Sequence, residues 1–313
     1  MRRVLASVAA FLLVLGSTQS FGAEKRTIKW VASIYSDANG IGLKHPEGVA
    51  CTDEYLIVAD TGNSRLLRYS FQGETVTMEA EFPLPKSYPI RVHLNSTGDL
   101  YFLDGKERRI EIMSATGEEG GLLSYKNLPF STEVIPKSFT IDRNDRIYLL
   151  DVLSRHVLVL EPDGQYLRQV PFPEEHGFFS DLAVDRQGRI LLLDGVEAVV
   201  YSAARGADQF SRLTESLKAY VNFPTSLSVD ESGVIYLVDQ YGSGLALVGQ
   251  DGSFLGRKLS LGWKDSGLYY PSQLCISRNG SMFIADRSNS RVQLFDTGAS
   301  ESVVRPDEAA AAE

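Results

Sequence analysis

Residues 55–74 read YLIVADTGNSRLLRYSFQGE: two apolar runs of strand character, split by a polar turn that starts at Asp60 and followed by a second turn at Gly73. A short apolar run ending in aspartate then recurs along the chain, at Asp104, Asp151, Asp194, Asp239 and Asp286, at intervals of 43–47 residues. About fifteen residues before each aspartate stands an anchor: Pro46, Pro89, Pro136, Pro224 and Pro271, with Phe179 in the fourth unit. Apolar residues three and five positions past the anchor, such as Val92 and Leu94 or Leu227 and Val229, alternate with smaller or more polar ones, the period of a strand. Glycine-centred turns, STGD at Gly98 and PDGQ at Gly164 among them, separate the strands within each unit. Each unit is therefore an antiparallel meander of four strands, and units of this length are propeller blades.

Six units follow from the count. The sixth stops after its third strand, RVQLFD, while an unassigned strand at residues 27–35, TIKWVASIY, precedes the first. A closed ring resolves both anomalies, with residues 27–35 supplying the outer strand of blade six and leaving no open edge. The expected fold is all-β, a six-bladed propeller spanning residues 24–298.

Outside the ring, residues 1–23 have the basic start (Arg2, Arg3), apolar run and small-residue end of a secretory signal peptide. Residues 299–313 read as a polar, disordered tail. An exported protein, periplasmic or secreted, is expected, not membrane-embedded once the leader is removed, and monomeric. The net charge is −9, becoming −11 without the leader's two arginines, which disfavours nucleic acid as a partner. Two cysteines exclude a disulfide scaffold and a cysteine-built metal centre. Cys51 and Cys275 fall on inner strands of blades that closure makes adjacent. Strand parity leaves their pairing open, and sheets about 10 Å apart are too distant for a bridge, so two buried free thiols are expected.

VADTGNSRLLRY (58–69) and IADRSNSRVQLF (284–295) carry Asp, Asn three later and Arg five later: Asp60, Asn63, Arg65 and Asp286, Asn289, Arg291. These motifs resemble the signature of NHL-repeat propellers, and the resemblance extends over roughly residues 28–297. The middle blades depart from it, with His156, Val199 and Gly244 at the arginine position. The motif residues read as structural: the aspartates cap the turn and the asparagines accept a left-handed conformation.

Propellers similar to this one that are amidating lyases carry zinc-binding histidines directly after the anchor. Here that position holds Glu47, Ile90, Lys137, Ser180, Thr225 and Ser272, so that site does not transfer. The four histidines, His45, His93, His156 and His176, occupy non-equivalent positions. Lactonase-type propellers use Glu, Asn and Asp around one calcium or zinc, to which Glu47 and Asp181 would contribute. The expectation is a non-enzymatic binding scaffold without a cofactor that docks a protein, peptide or glycan. Its alternative is a metal-dependent hydrolase or lyase, using calcium or zinc at the channel mouth.

The docking face is expected where the loops before strand one and between strands two and three emerge together. Five of the six residues before the anchors carry rings, Tyr88, Phe178, Phe223 and Tyr270 among them. Trp263 and Tyr269, in LGWKDSGLYYP, are expected in a solvated excursion, and Arg91 and Lys137 add cations. Rigid rings and arginine are what binding surfaces use for energy.

Overall fold

The computed structural model describes residues 26–130, 133–174 and 177–298. The leader, the C-terminal tail and His176 lie outside the described residues. Strand two of each blade is a mostly apolar run, for example Ile190–Asp194, and apart from Tyr55 at the start of the first one none of its positions is exposed. Such a strand has to be covered on both faces, and stacking one sheet on the next around a ring covers it.

The outcome is a six-bladed propeller of four-stranded antiparallel sheets with almost no helix. Blade 1 comprises Gly48–Cys51, Tyr55–Asp60, Arg65–Gln72 and Thr75–Pro83 from the axis outward. Blades 2 to 5 repeat the pattern from inner strands Pro89–Leu94, Pro136–Ile141, Phe179–Val184 and Pro224–Val229. Blade 6 joins Leu274–Ile276, Ser281–Asp286 and Arg291–Asp296 to the N-terminal strand Lys29–Ile34. Trp30 pairs with Phe295 and Ile34 with Val292, which closes the ring as the strand count requires.

Between each pair of neighbouring blades lies one apolar layer, so the core is six layers arranged around the axis. Leu192 and Val199 of blade 4 meet Val157 and Val159 of blade 3 in one of them. Ile34 and Val292 meet Val58 and Leu67 at the junction of blades 6 and 1. Turn glycines behave as the sequence requires, Gly98 and Gly164 both taking positive φ.

Two expectations are corrected. Cys51 and Cys275 form a disulfide, with Cα atoms 5.9 Å apart. Sheet spacing near 10 Å describes the blade bodies, whereas inner strands converge on the axis and come far closer. The left-handed residue of the NHL-like turns is not the asparagine but the serine after it, Ser64 and Ser290, both at φ 50°. Asn63 and Asn289 close short 3₁₀ turns and donate their side-chain amides to Asp60 and Asp286. Among the described residues, no helix is long and apolar enough to cross a membrane.

Candidate functional site

The residue after the anchor is placed by a β-bulge. In blade 2, Pro89 pairs with Asp104 and Arg91 with Leu103, so Ile90 is extruded, and Lys137, Ser180 and Thr225 are extruded in the same way. A bulge re-aims a side chain out of the ladder, here toward the channel mouth. Behind it, the aspartate ending strand two is fully or almost fully buried in every blade. Each accepts a backbone N–H from the loop before its anchor: Lys44 to Asp60 at 2.7 Å, Ile135 to Asp151 at 2.8 Å, Phe223 to Asp239 at 2.9 Å, Tyr269 to Asp286 at 2.7 Å. These carboxylates thus fix the anchor loops that carry the candidate residues.

In blades 1 and 6 the motif does more. Arg65 Nε donates to Asp60 at 2.8 Å and its Nη1 to Asp37 at 2.6 Å, while Arg291 Nε donates to Asp286 at 2.7 Å and its Nη1 to the Tyr35 hydroxyl at 2.9 Å. Both arginines therefore grip residues 35–37, directly after the closing strand. Burial pushes the Asp37 carboxyl up, but hydrogen bonds from Arg65, Ile41 and Asn39 outweigh it and hold it below the usual range.

At the mouth, Arg91 spans the ring: its Nη2 donates to the Thr225 carbonyl of the opposite blade at 3.3 Å. Lys137 sits 5.4 Å above the Phe178 ring centroid. Burial, with Arg91 and Arg108 nearby, pushes its ammonium below the ordinary lysine value, against the opposing pull of Asp181 and Glu47. From Phe178 an arc of rings runs over blades 4 to 6, Phe178 to Phe223 at 5.9 Å, then Tyr241 at 5.0 Å, Tyr270 at 5.7 Å and Tyr269 at 5.1 Å. Tyr241 is 58% exposed and Phe178 45%, so the arc faces solvent and does not merely wedge blades together. Tyr88 lies apart, under Lys106.

The excursion at residues 260–268 is not a bare loop. Ser260–Leu261 pairs in parallel with Gly267–Leu268, and Leu268 is fully buried. Its Trp263 is 76% exposed, as expected for a solvated excursion, and among the described residues makes no ring contact with the arc. Three residues that sequence reasoning passed over join the mouth: Tyr241, Arg108 and Arg155. All follow the buried aspartate, in the turn between strands two and three, whereas the sequence signal was sought before the anchor. The position of that turn relative to the repeating aspartate was enough to find them.

The two carboxylates that a channel metal would use are engaged. Glu47 accepts from Arg287 Nε at 3.0 Å. Asp181 is buried and accepts from the Ser138 hydroxyl at 2.5 Å and the Leu227 amide at 3.0 Å. Among the described residues, no three His, Cys, Asp or Glu side chains gather as a metal ligand set. Below the mouth, the inner strands of all six blades surround a lumen of about 210 Å³ that holds His93, Gln273 and the disulfide. Enclosure lowers the His93 imidazole to about 4, despite Asp181 nearby.

No family model matches the sequence, so the NHL-repeat resemblance stays a resemblance, and no curated protein matches it either. Solved structures share its fold. A streptogramin B lyase superposes with TM-score 0.61 at 12% identity, over 87% of this chain and 97% of its own. Virginiamycin B lyase from Staphylococcus aureus gives 0.58 at 12%, over 87% and 99%. A gluconolactonase from Xanthomonas campestris gives 0.63 at 16%, over 87% and 89%. The chain has a six-bladed propeller fold whose structural neighbours include lyase and gluconolactonase propellers.

Proposed function

We propose that this protein is an exported binding propeller that docks a peptide or glycan across the anchor-side mouth. The observation that carries this reading is the arc of five rings from Phe178 to Tyr269, continuous at Phe178 with the Lys137 cation. Rings held by a rigid scaffold bury area at little entropic cost and are the usual anchors of recognition, sugar faces included. The disulfide supports export, since such bonds persist in oxidising compartments.

The test is binding to glycan and peptide arrays, followed by titration calorimetry with the strongest hit. Tyr241→Ala removes the central ring of the arc, and a loss of about 1–2 kcal/mol, roughly five- to thirtyfold in affinity, is expected with melting temperature unchanged. Unchanged affinity in that variant would place the docking surface elsewhere.

A second reading, turnover at the same mouth, is favoured by the structural neighbours, which are enzymes built on this ring. At the mouth, Lys137 is a group offering chemistry, since its depressed basicity makes it a candidate proton acceptor. Incubation with gluconolactone and with streptogramin B, the compounds that the neighbours' names give, followed by proton release, separates the readings. Turnover lost in Lys137→Met would establish the enzyme; binding without turnover would establish the scaffold.

A further inference from the structure

Beside the ring arc, over blades 2 to 4, the mouth opens into a cavity of about 620 Å³. Its walls are apolar, with Ile90, Val152, Phe172 and Phe178 among them, and Lys137, Arg108 and Arg155 line it. We infer that this cavity is an oxyanion subsite, taking a carboxylate or phosphate carried on an apolar or sugar ring; the inference deepens the binding reading above and rests on it.

Three observations carry it. First, among the described residues none of the three cations forms an ion pair, although the chain is net negative and Arg65, Arg189, Arg257, Arg287 and Arg291 all pair with carboxylates. Asp104, the acid in the cavity wall, is spent on the amides of Tyr88, Lys106 and Glu107. Second, the arginines are not there for the backbone. Arg108 and Arg155 occupy the left-handed position before strand three, at φ 53° and 58°. The equivalent residues elsewhere are Ser64, Ala198, Ser243 and Ser290, so the turn accepts small side chains and gains nothing from a long cationic one. Basic residues take this position only in blades 2 and 3, and both line the cavity. Third, the extruded residue after the anchor is cationic only in blade 3, where it points at the same space. Arg91 Nε, buried and without a partner, adds unsatisfied donor capacity nearby. Guanidinium forks pair bidentately with carboxylate and phosphate, and a cavity of this size suits a small ring-bearing ligand.

The experiment uses fluorescent probes of one shape: 2-naphthoate, 2-naphthyl phosphate and neutral 2-naphthylmethanol, titrated into the mature protein at low and moderate salt. One or both anions should bind at one site, at least tenfold more tightly than the alcohol, and weaken as salt rises; which anion wins identifies the oxyanion. The double variant Arg108→Gln/Arg155→Gln should lose at least tenfold for the anions only, with melting temperature unchanged. Arg186→Gln, on the opposite face, should bind as wild type. Equal binding of anion and alcohol, or undiminished anion binding in the double variant, would overturn the subsite. Because Tyr241 and the array ligands test the ring arc separately, failure of the subsite is distinguishable from failure of the binding reading.

Discussion

The residue before strand three adopts φ between 50° and 58° in all six blades, and in none is it glycine. A left-handed L-residue costs roughly 1–2 kcal/mol, so the turn is held by its surroundings, chiefly the buried aspartate four residues earlier. In blades 2 to 4 that carboxylate accepts turn amides such as Leu153 and Ser154 to Asp151. One further residue has a measurable consequence. His93 faces the lumen, and enclosure keeps its imidazole neutral down to about pH 4, against 6.5 for a free histidine. The unfolded chain therefore binds a proton that the folded one refuses between those values. Its stabilising contribution is complete above pH 6.5 and is lost as pH falls toward 4, on the order of 2 kcal/mol after allowing for contact with the lumen. Urea titrations of wild type and His93→Gln between pH 7 and 4 should show a shallower decline in the variant. Parallel declines would mean that His93 is freely protonated in the fold.

At the scale of elements, one seam stands out. Blade 6 is completed by Lys29–Ile34 at its outer edge, while Cys51–Cys275 ties its inner strand to blade 1. The only two complete Asp–Asn–Arg motifs flank this seam, and their arginines hold residues 35–37 against it. That accounts for their erosion in the middle blades, which have no returning strand to grip; in blade 5, Arg257 reaches Asp239 from strand four instead. A chain beginning at Ser36 should fail to form a monomeric folded ring, because it loses both the pairing with Arg291–Asp296 and the buried Ile34. Cys51→Ser/Cys275→Ser should stay folded and lose about 2–4 kcal/mol in denaturant titration. A truncated chain melting like wild type would refute closure at this edge. The blades and their closure were legible because proline, glycine and the strand-ending aspartate repeat at fixed spacing. The disulfide was not: alternation tells which face a cysteine takes, while the approach of inner strands at the axis is a property of the whole ring. Mouth residues were half legible for a related reason. Phe178, Phe223 and Tyr270 precede anchors that sequence periodicity locates, whereas Tyr241, Arg108 and Arg155 lie in turns whose composition varies from blade to blade.

Over the whole molecule, stability resides in six apolar layers, one per junction, and each blade contributes to two of them. In an open array of repeats, weakening one layer lets a neighbouring segment unfold by itself. A closed ring has no end from which to fray, so loss of any junction releases all blades together. Leu192, between blades 3 and 4, and Leu66, between blades 1 and 2, are both fully buried on opposite sides of the chain's midpoint. Leu192→Ala and Leu66→Ala should each cost about 2–5 kcal/mol through lost contacts and the cavity left behind. In both, the denaturation midpoint should fall while the slope stays that of wild type, and fluorescence and circular dichroism should report one coincident transition. A biphasic curve in either variant, or a reduced slope, would show that a subset of blades unfolds independently. The same measurement repeated under reducing conditions asks how far the seam enforces this unity: if the hydrogen-bonded edge of blade 6 is the dominant closure, reduction lowers the midpoint and the transition remains single.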